Sequence, residues 1–213
     1  MTKIKICGIK TIEASRTAAK HGADFIGIVF VDNVKRKISI ETAQTIITDI
    51  RKTNEKTKIV VLFRNQNSKY VIEVINHLGL DLIQLCGNEN LHDFTETPIE
   101  IFKQIRIKNS DNTTSISRKV NSLVESGIGV FLDSYDESLP GGTGIKFNWQ
   151  LVAGTANKKN VFLGGGLNPE NVISAIKKVE PWGVDVSTGV EKNGEKDSLL
   201  IRSFIKNVKS VTS

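Results

Sequence analysis

Two short stretches, Gly164-Gly165-Gly166 and Ser187-Thr188-Gly189, each follow an apolar run that reads as a strand. Glycine lets backbone N–H groups approach an anion with no Cβ in the way, and small hydroxyl residues opening a turn add donors. One GGG run is simply a turn. Two such loops at consecutive strand ends point to one phosphate held between them. Cys7 closes the alternating run Lys3-Ile4-Lys5-Ile6-Cys7, and Asp133 closes Gly129-Val130-Phe131-Leu132-Asp133. A free thiol titrates near ~8.5, so a thiolate base is within reach if cations or N–H groups help. A carboxyl in an apolar setting keeps its proton and can serve as an acid. Such a pair suits a proton transfer that opens a ring or shifts a double bond. Arg36 sits in the loop VDNVKRKI, where a guanidinium fork fits a substrate carboxylate better than Lys35 or Lys37. Each residue also has a plainer reading: Cys7 as a small buried hydrophobe, Asp133 as a solvated or capping carboxylate, Arg36 as surface charge. His21, His77 and His92 fall within or beside predicted helices, which argues against histidine chemistry, and Trp149 and Trp182 read as packing.

Those residues must be carried by something regular. Strands are predicted at Lys3–Cys7, Asp24–Phe30, Lys58–Phe63, Leu80–Cys86, Ile99–Ile107, Gly129–Asp133, Val161–Leu163 and Val184–Val186. A helix is predicted after each. Thr11 caps the first, which runs to about His21, and Ser39 caps the second. Others cover Ser68 to Leu78, Leu91 to Glu96, Ser115 to Ser126 and Asn148 to Ala153. Asn168 is expected to cap the next, with Pro169 at its first position. The last runs from Ser198 to Val208. Eight strand–helix units in 213 residues, with no break in composition, argue for one domain spanning 1–213, an α/β single (β/α)8 TIM barrel. The rival is an open doubly wound sheet, but the first strand–helix junction, CGIKTIE, lacks the G-x-G-x-x-G fingerprint. In a barrel the chemistry sits at the C-terminal strand ends, and phosphate is commonly held after strands seven and eight. Cys7, Arg36, Gln84-Leu85-Cys86, Arg106, Asp133, Gly141-Gly142-Thr143-Gly144 and the two glycine-rich loops all fall at that face.

Composition narrows the class. Hydrophobic residues make up 39% and charged residues 24%, an ordinary balance for a soluble domain. No apolar run reaches the roughly twenty residues of a membrane span, and MTKIKICGIK lacks a signal-peptide core, so a cytoplasmic protein is expected. The net charge of +6 is scattered, with no nucleic-acid-binding pattern; it suits an anionic small molecule instead. The two cysteines form no disulfide framework, and no histidine–cysteine spacing suggests a metal.

The ordered set of motifs resembles the phosphoribosylanthranilate isomerase family of tryptophan biosynthesis. It comprises KICGIKT at 5–11, GADFIGIVF at 22–30, KRKIS at 35–39, LDLIQLCG at 80–87, FLDS with PGGTG at 131–144, GGGLNPENV at 164–172, and GVDVSTGVE with GEKD at 183–197. The resemblance implies an Amadori rearrangement of an aminosugar phosphate, with Cys7 as general base and Asp133 as general acid. It implies Arg36 on the anthranilate carboxylate and the phosphate on Gly165, Gly166, Ser187, Thr188 and Gly189. Asp185 is similar to a family residue near the sugar hydroxyls, and a structural hydrogen bond is its other reading. No cofactor and no metal are implied, and the chain is expected as a monomer or homodimer. Two departures stand out: Cys86 replaces the usual histidine of QLHG, and Val34-Lys35-Arg36 replaces the usual SPR. Two other functions stay open on the residues alone: another phosphosugar isomerase or epimerase, and a phosphate-ligand binder without turnover.

Overall fold

The computed structural model describes residues 1–54, 56–97, 99–134 and 147–211. Gly141-Gly142-Thr143-Gly144, singled out above, lies outside them. Eight parallel strands close into a barrel: β1 (Lys3–Cys7), β2 (Phe25–Val29), β3 (Lys58–Phe63), β4 (Leu82–Leu85), β5 (Glu100–Ile107), β6 (Gly129–Ser134), β7 (Val161–Leu163) and β8 (Gly183–Val186). Each pairs with its neighbour in sequence, and β1 pairs with β8 to complete the ring. The expected (β/α)8 architecture is therefore the observed one. A short hairpin, β9 (Glu191–Lys192) and β10 (Glu195–Lys196), follows β8.

The helices start where side chains can close their open N–H groups. Thr11 accepts from the Ala14 N–H ahead of α1 (Ile12–His21), and Ser39 accepts from the Thr42 N–H ahead of α2 (Ile40–Thr53). Gly22 ends α1 at φ 96°, a left-handed position that suits glycine. α3 (Ser68–Leu78), α4 (Thr113–Glu125) and α6 (Ser198–Val211) also follow the predicted order. Three segments differ. After β4 the chain forms only a 3₁₀ turn, Leu91–Phe94, because Thr95 and Thr97 hydroxyls bond back to the His92 and Phe94 carbonyls and compete with helix extension. After β6 the described helical segment is again a 3₁₀ turn, Trp149–Val152, stopped just before Gly154 at φ 75°. α5 (Val172–Val179) begins later than expected. The Asn168 carboxamide oxygen takes the Glu170 and Asn171 N–H groups at 3.0 and 2.9 Å, folding 168–171 into a turn instead of capping a helix.

Strand alternation divides the core. Ile4, Ile6, Ile26, Ile28, Ile59 and Val61 belong to the cluster between sheet and helices, whereas Cys7, Phe25, Val29, Val60 and Leu62 belong to the cluster inside the ring. The lower interior is an aromatic plug. Phe131 stacks on Phe162 at 4.5 Å between centroids, and Phe25 and Trp182 meet Phe162 edge-on at 5.3 and 5.1 Å. The packing reading of Trp182 holds. Among the described residues no helix is long and apolar enough to cross a membrane.

The plug leaves no space at Gly183, where a Cβ would sit 2.5 Å from the Phe162 ring and 3.2 Å from Lys3. Gly183→Ala is expected to lower stability by about 1–3 kcal/mol through overpacking. Urea unfolding of the two proteins measures it, and an unchanged midpoint would refute this account of the plug.

Candidate active site

Above the plug the interior turns polar. Lys5 is fully buried, with Nζ 3.0 Å from Gln84 Oε1, 3.0 Å from Asp185 Oδ1 and 4.3 Å above the Phe131 ring. Cys7, two residues on, faces the same way and lines the cavity that opens at the C-terminal strand ends. Asp133, Asp185, Arg36 and Ser187 line that same cavity. A Cβ on Gly27 of β2 would sit 2.8 Å from Cys7 Sγ and 3.2 Å from Lys5 Cε, so glycine there makes room for both side chains.

Charges in this enclosure shift one another. Asp133 is pushed up to about 6, first by burial and then by the negative charge of Asp185. The Ser134 N–H at 2.8 Å, the Arg106 charge and Gln104 Nε2 at 2.7 Å pull the other way. Burial pushes the Cys7 thiol up, with Lys5 the largest opposing influence. Burial also disfavours the Lys5 charge, but Asp185 and Cys7 more than offset it, and Lys5 is pushed up to about 12. Cys86, half-buried at the end of β4, is pushed up to about 12, chiefly by burial. A thiol that stays neutral leaves the wall formed with Val29, Val31, Val34 and Leu62 apolar.

Arg36 folds back over the end of β1. Its stem lies where a Gly8 Cβ would be, at 2.5 Å, and Gly8 sits at φ 79°. Glu191 of the hairpin grips the guanidinium through Nε at 2.7 Å and an Nη at 3.2 Å. Lys196 Nζ reaches Glu191 at 2.6 Å and the Ser187 carbonyl at 2.9 Å. Burial raises Glu191, but Arg36 and Lys196 outweigh it and leave the carboxylate below its usual range. A bridge between Val29 and Lys37 further pins the loop.

The two glycine-rich loops touch. Gly165 and Gly166 stand at φ 77° and 70°, and among the described residues neither N–H has a backbone carbonyl partner. Asn171 Nδ2 ties the loop to the Gly166 carbonyl at 2.9 Å, and Trp149 Nε1 reaches the Gly165 carbonyl at 3.4 Å. Trp149 therefore does more than pack. Ser187 Oγ donates to the Cys7 carbonyl at 3.2 Å, and Thr188–Val190 form a 3₁₀ turn in place of a helix start. At Gly189 any Cβ would run into the Leu167 carbonyl, so glycine lets one loop lie against the other. All nine residues picked from the sequence thus lie at one end of the barrel: Cys7, Asp133, Arg36, Asp185, Gly165, Gly166, Ser187, Thr188 and Gly189. The histidines belong to α1, α3 and the first 3₁₀ turn. Among the described residues no cluster of three or more His, Cys, Asp or Glu side chains is placed to hold a metal ion.

This arrangement has known counterparts. The family model for N-(5'-phosphoribosyl)anthranilate isomerase matches residues 4–207. The chain belongs to that family. It is 39% identical to the N-(5'-phosphoribosyl)anthranilate isomerase of Acetivibrio thermocellus, over 98% of this chain and 96% of the relative. The phosphoribosylanthranilate isomerase structure from Thermotoga maritima is 33% identical and superposes with a TM-score of 0.85, covering 99% of this chain and 100% of that one. Another family structure is a complex with reduced 1-(o-carboxyphenylamino)-1-deoxyribulose 5-phosphate. It is 32% identical, with a TM-score of 0.81, and covers 99% of this chain and 100% of that one.

Lys5, Gln104, Glu191 and Lys196 escaped the sequence reading. Lys5 shares a face with Cys7 by strand alternation, but only the closed ring turns that face inward. Gln104 could not be found by position, since the strand register sets Arg106 opposite Asp133 and only the side-chain hydrogen bond brings Gln104 to it. Glu191 and Lys196 stand inside the GVE and GEKD motifs, but only the hairpin brings them to Arg36.

The raised Asp133 value has a consequence for stability. The folded state holds this proton more tightly than the unfolded chain, in which a carboxyl titrates near about 4. The stabilisation is full below that value and is lost as pH rises through about 6. At pH near 8 the buried carboxylate is a cost, so Asp133→Asn should be more stable than the parent by roughly 2–3 kcal/mol. The gain should vanish toward pH near 4. Denaturant melts at the two pH values measure this, and a gain independent of pH would contradict it.

Proposed function

We propose that this chain catalyses the reaction that names its family, converting N-(5'-phosphoribosyl)anthranilate to 1-(2-carboxyphenylamino)-1-deoxyribulose 5-phosphate, a step of tryptophan biosynthesis. The observation that carries the reading is the meeting of Cys7 and Asp133 in one cavity with Arg36 and the β8 loop. Asp133, raised to about 6 by its buried setting, gives its proton from the protonated form to the furanose ring oxygen as the C1′–O bond breaks. The substrate nitrogen lends its lone pair to C1′, giving a Schiff base. Cys7 takes the proton from C2′, the freed pair forms the C1′=C2′ bond as the C=N pair moves onto nitrogen, and the resulting enolamine becomes the ketone as its hydroxyl proton leaves and C1′ gains one. The substrate's own nitrogen is the electron sink.

The remaining residues hold the substrate. The N–H groups of Gly165 and Gly166, with Ser187, Thr188 and Gly189, form the seat for the phosphate. Arg36, oriented by Glu191, meets the anthranilate carboxylate, and the ring rests on the wall of Val29, Val31, Val34, Leu62 and Cys86. Asp185 faces the sugar hydroxyls while it grips Lys5. A soluble, cytoplasmic enzyme fits this small anionic substrate.

In the free protein the acid titrates below the base. Protonated Asp133 with ionised Cys7 is then a minority form whose fraction is level between the two values. kcat/KM should rise to an inflection at about 6 that belongs to Asp133, then level off. It should fall only above the usual thiol value of ~8.5, at a limb that belongs to Cys7. Cys7→Ala and Asp133→Ala should each nearly abolish turnover in a folded protein. Arg36→Met should raise KM by about 10- to 100-fold. The fluorescence change on loss of phosphoribosylanthranilate follows all three. Full activity in either alanine variant, or turnover of non-aromatic phosphosugars in its place, would sink the reading.

A further inference from the structure

The chemistry above leaves one buried charge unused. Lys5 is wholly inside the barrel, between the aromatic plug and the cavity floor. Its ammonium touches Gln84, Asp185 and the face of Phe131. Taking a lysine this far from water is expensive, and a buried ion pair is weak ground for stability, since apolar groups of similar volume often serve as well. The neighbouring interior positions Val60, Leu82, Phe102 and Phe131 are apolar, so nothing in the packing calls for a charge. The geometry does place that charge beside the thiol. Lys5 and Cys7 stand two residues apart on the inward face of β1, and the stem of one and the sulfur of the other both crowd the missing Cβ of Gly27.

We infer that Lys5 is a positioning residue for the base: its ammonium, anchored by Asp185 and Gln84, lies alongside the Cys7 sulfur and favours the thiolate that takes the C2′ proton. The inference rests on reading Cys7 as that base. Other charged and titratable groups also surround the sulfur. Asp185 of β8 opposes the thiolate, and Lys196 of β10 supports it. Arg36 from the loop after β2 adds positive charge, Cys86 at the end of β4 stays neutral, and Asp133 of β6 lines the same cavity. Lys5 outweighs Asp185 and Lys196 in its influence on Cys7, second only to burial itself. Asp185 thus has two tasks, one toward the sugar and one toward the ammonium.

Two variants test this: Lys5→Met, and the charge-balanced Lys5→Met/Asp185→Asn, which leaves no lone buried carboxylate if the first fails to fold. Each is titrated by ultraviolet thiolate absorbance against a matched Cys7→Ala background, and kcat/KM of Lys5→Met is followed with pH. In Lys5→Met the Cys7 titration should move upward by about one unit or more, and the kcat/KM plateau should fall about tenfold per unit moved. The upper limb should shift by the same amount, so that the deficit closes at high pH. A purely structural lysine would depress the rate at every pH alike. In the double variant, which also loses the opposing Asp185 charge and a substrate-facing group, only the thiol titration is read, and it should move upward by less. An unchanged Cys7 titration in a folded variant overturns the inference and leaves the base reading standing, since Cys7→Ala turnover tests that separately. A titration that moves while the rate profile stays in place overturns it too, and does so through Cys7 and not Lys5.

Discussion

The parallel pairing of β1 with β8 is the contact on which the rest depends. It joins residues about 180 positions apart and sets Lys5 opposite Asp185 in register. It also brings the Ser187 hydroxyl to the Cys7 carbonyl. An open sheet of the same strands would leave β1 and β8 as distant edges. The thiol would then have no glycine-bearing loop of β8 beside it, and the lysine no carboxylate.

Closure also makes an interior whose lower half is aromatic and upper half polar. The plug of Phe25, Phe102, Phe131, Phe162 and Trp182 keeps water from the floor of the cavity. Above it, charges act on one another through protein and not through solvent, which strengthens each influence. Carboxyl, thiol and ammonium are all displaced upward, for different reasons. Asp133 rises because burial and Asp185 penalise its charge, and Lys5 rises because partners outweigh its burial. A carboxyl that holds its proton more tightly than in water and a thiol influenced by a buried ammonium emerge from one enclosure.

The groups around the mouth of the cavity are fixed by contacts that run between loops. Glu191 and Lys196, from a hairpin of four paired residues, tie Arg36 to the segment that carries Ser187. Gly189 lets the loop after β8 rest on Leu167 of the loop after β7. Arg36 and the two glycine-rich loops are thus parts of one connected rim.

Local chain chemistry alone determined the number and order of the strands, the caps at Thr11 and Ser39, and the presence of a thiol, a carboxyl and two glycine-rich turns at strand ends. These depend on neighbours a few residues away, and the chain states them directly. The helix expected after β4 shrank to a 3₁₀ turn and Asn168 folded a turn instead of a cap, because hydroxyl and carboxamide groups found closer backbone partners than a helix offers, while the segment after β6 stops at Gly154. The roles open to Lys5, Gln104, Glu191 and Asp185 were decided only in three dimensions. A parallel strand covered on both faces is buried on both faces, so alternation separates its sides without saying which one looks inward. Only the curvature of the closed ring makes that choice, and with it the lysine two residues before Cys7 becomes a buried partner of the thiol and not a surface charge.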